Sequence, residues 1–249
     1  MSGMPRAGTT LGKRYLGDHE RLQIVPWGHF SQAWQAAQKQ GSTKIIVDKN
    51  NKNLTIMGRI YHEYGNEAAY LGIVRDPRDE LISLLETDYD PEIPRDESFW
   101  QCWLEQYSAF LSFARHHQHQ GARVALVRYE DLALSPVPTK QSFLAWIGLE
   151  GSKVGDASYH TTVTEIAEGI NTTEDWKAHQ VNEVHDNSVG RWRDATGDRA
   201  ALLRSYDSFP AVVSLMSQLG YREFVEDPEP DTMGIKILGF EPYGGKKKP

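Results

Sequence analysis

Three short apolar runs stand out along the chain, each ending in polar residues: "IIVDKN" from Ile45, "AYLGIVRDPRD" from Ala69 and "RVALVRYED" from Arg123. Runs of this length bounded by polar residues predict strands buried on both faces, as in a parallel sheet. Between them the apolar residues recur at helical spacing. "TTLGKRYLGDHERL" predicts a helix from Thr9, and "DELISLLETD" another. "DESFWQCWLEQYSAFLSFARHHQHQ" predicts a long helix whose face of Phe99, Trp103, Tyr107, Phe110 and Phe113 is read as core. "QSFLAWIGLE" predicts a helix stopped near Gly148, and "DRAALLRSYDSFPAVVSLMSQLGY" two helices broken at Pro210. Strands alternating with helices predict an α/β fold with a central, mainly parallel sheet flanked by helices in three layers. One domain over 1–225 is expected, with 226–249, rich in Pro and Gly, as an extension or edge segment. Residues 150–190 are polar and give no readable pattern.

Local signals sharpen two helix starts. Asp76 is placed as an N-cap, with Pro77 at the first helical position and Asp79 and Glu80 at the positive end. Ser98 and Gln101 have capping-box spacing.

Charge and cysteine content narrow the function classes. The formal net charge of −7 over 249 residues argues against a general grip on nucleic acid, so any anion site must be a local concentration of Arg, Lys and backbone N–H groups. Cys102 is the single cysteine, which fits a reducing, cytoplasmic setting, and within "FWQCWLEQY" it reads as a packed thiol. No apolar run approaches the ~20 residues of a membrane span, and the N-terminus lacks the features of a signal peptide. His116, His117 and His119 read as a solvated helix end, and no metal is expected.

The chemistry concentrates in two stretches. "GMPRAGTT" has glycines at Gly3 and Gly8, a cation at Arg6, and Thr9 and Thr10 where a helix begins, but no lysine after the last glycine. Such a turn forms a nest of N–H groups at a helix N-terminus and can hold an anion; a plain glycine turn capping a helix is the other reading. In "VRDPRDELIS", Arg75 lies at the end of a strand and Ser83 in the next helix, where both can converge on one phosphate beyond the strand's C-terminal end.

Together these stretches resemble the PAPS-dependent sulfotransferase family, in the Pro-Arg-x-Gly-Thr-Thr form of tyrosylprotein and many bacterial members. "GMPRAGTTL" is similar to its 5′-phosphosulfate loop, "VRDPRDELIS" to its 3′-phosphate motif, "VRYEDLALSP" with "FLAWIGL" to its Tyr-Glu-Asp-Leu segment, and "NSVGRWRD" to the late loop over the nucleotide. The resemblance implies a P-loop-like fold and a sulfuryl transfer from PAPS to a small-molecule acceptor, giving PAP. It assigns Arg6, Ala7, Gly8, Thr9 and Thr10 to the phosphosulfate, Arg75 and Ser83 to the 3′-phosphate, Tyr129 to the adenine, and Ser188, Gly190 and Arg191 to the 3′ side.

Arg6 is the expected stabiliser of transferring charge, with Lys49 and Thr10 in support. His29 is the only titratable residue in the window "QIVPWGHFSQ" where relatives with this loop often carry a base; a packed or surface histidine is the alternative. The cytosolic-type base position holds Asn51, with Asp48 as a fallback. His19 reads as structural. The acidic run "ETDYDPEIPRDE" makes a cationic acceptor a candidate. The family's first strand precedes the loop, whereas two residues precede Gly3 here, so the reading calls for an absent upstream strand or an unusually built sheet. A P-loop kinase or NTPase, and a silent PAP-binding module, are the competing readings.

Overall fold

The computed structural model describes residues 1–17, 19–25, 29–51, 54–86, 92–150, 186–221 and 236–238. Part of the acidic run 86–97, residues 151–185 and most of the expected 226–249 extension lie outside the described residues. The elements run α1 (Thr9–Gly17), β1 (Leu22–Val25), α2 (Phe30–Lys39), β2 (Ile45–Asp48), α3 (Met57–Tyr64), β3 (Ala69–Val74), α4 (Pro77–Leu85), α5 (Ser98–Gln118), β4 (Arg123–Arg128), α6 (Tyr129–Leu134), α7 (Pro136–Trp146), α8 (Gly197–Arg204), α9 (Pro210–Gln218) and β5 (Lys236–Leu238), with 3-10 turns at Asp186–Ser188 and Arg191–Asp194.

The pairings between these strands are parallel, as the alternation with helices predicts. They fall into two sheets, β1–β2 and β3–β4–β5. Residues 1 and 2 lie between them. The Met1 nitrogen donates to Asp48 O at 2.7 Å and the Asn50 N–H to Met1 O at 3.1 Å. On the other side Ser2 N donates to Leu71 O at 2.9 Å and Ile73 N to Ser2 O at 2.7 Å. A cavity of about 300 Å³, lined by Met1, Ile45, Val47, Ala69 and Leu71 among others, separates the two sheets beside this bridge.

Alternation along β3 and β4 sends side chains to two cores. Tyr70, Val74, Val124 and Leu126 pack with Trp100, Trp103 and Phe110 of α5, while Leu71, Ile73, Ala125 and Val127 pack with Leu16 of α1 and Phe143 of α7. Both faces of this sheet are therefore covered, which is why its strands read as unbroken apolar runs. Gly72 sits where a Cβ would come within 2.7 Å of the Phe110 ring, so the α5 face needs a glycine there.

Two expectations are corrected. The first helix ends at Gly17, and Leu22–Val25 is a strand. Ser98 does not cap α5: it is the first residue of the helix, and Asp96 accepts from its N–H at 2.9 Å. Gln101 turns instead to Glu105, one turn along, at 2.8 Å. An Asp two residues upstream is the stronger acceptor for that orphan N–H.

Candidate active site

The site assembles where β2 and β3 end. The loop from Met4 to Gly8 is held from beneath: Met4 N donates to Tyr107 Oη at 3.4 Å, and that hydroxyl donates to Ile73 O at 2.9 Å. Arg6 adopts φ +74°, an uncommon left-handed conformation for a residue with a side chain. Gly8 has φ +96°, and a Cβ there would lie 2.3 Å from Tyr129 Cδ2, so the loop backbone rests directly on the Tyr129 ring. α1 then starts at Thr9, and its first-turn N–H groups have no acceptor within the helix.

Arg6, Arg75, Ser83 and Tyr129 meet here. Arg6 Nε donates to Ser83 Oγ at 2.8 Å. Arg75 donates through Nη1 to Arg6 O at 3.2 Å and through Nη2 to Ser188 O. Its guanidinium lies 4.6 Å from the centre of the Tyr129 ring. Its buried Nε–H has no hydrogen-bond partner among the described residues. Two cations thus share one small volume, with one donor unspent.

The buried charges around them come from α4, whose residues Pro77–Leu84 are all buried although four are polar or charged. Asp76 caps it as predicted, accepting from Arg78 N at 3.0 Å, and also takes the Arg78 guanidinium at 2.9 and 2.7 Å. That guanidinium stacks 3.7 Å from the Trp192 ring centre. Glu80 is fully buried, and neither carboxyl oxygen finds a hydrogen-bond partner among the described residues. Burial pushes its pKa well above the carboxylate range, opposed by Arg75 and assisted by Glu130.

The Tyr-Glu-Asp segment divides its labour. Tyr129 faces the loop. Glu130 accepts from Asp76 N at 3.0 Å and Tyr221 Oη at 2.9 Å, tying α6, α4 and the end of α9 together. Asp131 holds the buried Arg128 guanidinium at 2.8 and 2.7 Å.

Other expected site residues take different partners. The Ala7 N–H, expected to face a ligand, donates to Met4 O at 3.1 Å, closing the turn that sets Arg6. The Thr9 hydroxyl donates to Asn51 Oδ1 at 2.8 Å, so it ties the loop to the segment after β2. Thr10 is half-buried on the first turn. Arg191 pairs with the Glu86 carboxylate at the end of α4 at 2.5 Å, an opposite charge within ion-pair reach. Ser188 and Gly190 reach the β3–α4 junction through backbone groups: the Ser188 carbonyl meets Arg75, and Gly190 N donates to Asp79 Oδ2 at 2.6 Å. Lys49 is half-buried on the same rim, its pKa lowered to about 8 by burial first and by Lys13 second. His29 is exposed at the N-cap of α2, on the rim where β1 ends, and no contact among the described residues links it to Arg6. His19 is buried, and its Nδ1 accepts from Arg21 N at 3.1 Å, as a structural histidine does.

Glu80, Glu130, Arg78 and Asp79 were not singled out as site residues from sequence. Their signal was available in the density of charge within two motifs, but charges at a helix start read equally well as solvated dipole partners.

The family profile described as the sulfotransferase family matches residues 18–153. This span is more than half of the chain and includes Arg75, Ser83 and Tyr129, whereas the Gly3–Thr10 loop and the 188–194 segment lie outside it. No curated protein matches the chain.

Proposed function

The chain belongs to the sulfotransferase family, transferases that move a sulfuryl group, and from that premise we propose that it transfers this group from PAPS to a hydroxyl or amine of a small metabolite or natural product, releasing PAP. The observation that carries the proposal is the convergence of Arg6, Arg75, Ser83 and Tyr129, from three separate stretches of sequence, at the C-terminal ends of parallel strands. The fold in this reading is P-loop-like and three-layered, supported by the glycine-containing loop that leads from the Met1–Ser2 bridge into α1.

The residues present fit a nucleotide that carries two separate anionic groups. Arg75, with its unspent Nε–H, and Ser83 would hold the 3′-phosphate, and Tyr129 would approach the adenine. Arg6, Gly8, Thr10 and the first-turn N–H groups of α1 would hold the 5′-phosphosulfate. Bound PAPS supplies an activated sulfuryl group on a phosphate leaving group. The acceptor oxygen or nitrogen attacks sulfur in line, the bond from sulfur to the 5′-phosphate oxygen breaks, and the acceptor proton passes to a base. Arg6 stabilises charge on the transferring group and leaving phosphate, with Lys49 in support. His29 is the proposed base, supported by its place on the same rim of the sheet.

Calorimetry with PAP, and with ATP–Mg²⁺ as the control, tests the reading. PAP binds the wild type, and Arg75→Ala weakens it by about a hundredfold or more, as expected for losing charge-assisted contacts. Binding of ATP–Mg²⁺ in place of PAP overturns the reading in favour of a kinase.

A further inference from the structure

The segment 188–194 is gripped by the residues that follow Arg75. Both oxygens of Asp79 accept backbone N–H groups from it, Gly190 N at 2.6 Å and Trp192 N at 3.0 Å. These N–H groups open the 3-10 turn Arg191–Asp194, so the carboxylate caps that turn from another element. Asp79 is fully buried, although nothing in its role as the third residue of α4 calls for burial. Beside it the Arg78 guanidinium stacks on Trp192, and the Arg75 guanidinium meets Ser188 O. The Arg75 grip is conditional, because a phosphate at Arg75 competes with Ser188 O for the same donor. The Asp79 grip does not use the Arg75 guanidinium: its donors are the backbone N–H groups of Gly190 and Trp192.

We propose that Asp79 is the positioning residue that latches the 188–194 segment over Arg75, so that the segment stays closed when a bound nucleotide takes the Arg75 guanidinium and its opening governs nucleotide release. This inference rests on the sulfotransferase reading for the identity of the nucleotide, but the latch does not depend on it. Gly190 has φ +78°, which orients its N–H toward α4 and suits a residue without a side chain.

The test measures PAP dissociation by stopped flow, single-turnover transfer and melting temperature for wild type, Asp79→Ala and the milder Asp79→Asn. Asp79→Ala is expected to speed PAP dissociation by about tenfold or more, with a smaller effect for Asn. The single-turnover rate at saturating PAPS should change far less, a split that loss of stability alone does not give. A folded Asp79→Ala or Asp79→Asn that releases PAP at the wild-type rate overturns the proposal. If the wild type binds no PAP, the nucleotide reading fails and hydrogen exchange of the ligand-free protein decides the latch. Faster exchange at the Gly190 and Trp192 amides in Asp79→Asn supports it, and unchanged exchange overturns it.

Discussion

Glu130 holds a carboxyl group in a fully enclosed place, accepting one N–H from Asp76 and one O–H from Tyr221. Desolvation outweighs both bonds and raises its pKa from 4.5 to about 7. The native state therefore binds a proton that the unfolded chain has already lost, and stability should fall as pH rises between about 4.5 and 7. Glu130→Gln keeps the acceptor for Asp76 and removes the titration. Its stability relative to wild type should rise across that window, by a few kcal/mol at most. Urea unfolding at pH 4.5 and at pH 8 reads the difference between the two proteins, and parallel pH profiles would remove this assignment. Burial raises the pKa of both Glu80 and Asp79, one position apart, but only Asp79 has backbone N–H groups that oppose it. Asp79 finds two N–H donors, while Glu80 finds none among the described residues.

The start of α4 gathers the largest number of roles into one turn. Asp76 caps the helix and neutralises Arg78, which supports Trp192. Asp76→Ala leaves a buried guanidinium without its carboxylate and the helix without its cap, and should cost on the order of 4 kcal/mol. Asp76→Asn keeps the cap and should recover about 1 kcal/mol of that loss. Chemical denaturation of both variants checks the order, and equal losses would mean that the ion pair carries all of the effect. This element was legible in sequence because an N-cap, a Pro at N1 and acids in the first turn are local signals. By contrast β1 has four residues between a buried His19 and a Pro-Gly stretch, and α2 buries no residue fully, so neither offers a long periodic pattern.

Two sheets become one structure through residues 1 and 2. Ser2 is fully buried, bonded to both sides of β3 residue Gly72 by its backbone and to Asn50 O by its hydroxyl at 2.6 Å. Ser2→Pro removes the N–H that reaches Leu71 O and should destabilise the protein by about 3 kcal/mol. Hydrogen exchange should then rise first at Ile73 and Asn50, while the β3–β4 ladder stays protected. Uniform exchange across both sheets would show that the bridge is incidental. In sequence this position looked like a deficit, two residues where a strand was needed. In the structure those two residues make the pairings of a strand on both sides, which only the spacing of β2 and β3 allows.

The chain's local chemistry fixes what local chemistry can fix: buried parallel strands from unbroken apolar runs, helices from 3.6-residue spacing, a glycine-containing turn around Arg6 that leads into a helix, and an ordered set of motifs that pointed to the family. Assembly decided the rest, because hydrogen-bond partners come from elements far apart in the chain. Ala7, Thr9 and Arg191 turned to Met4, Asn51 and Glu86, whose proximity no spacing rule encodes. Burial, which converts a surface-type charge into a buried strut at Glu130 or a latch at Asp79, is a property of packing. It exists only once α4, α6 and the 188–194 segment are brought together.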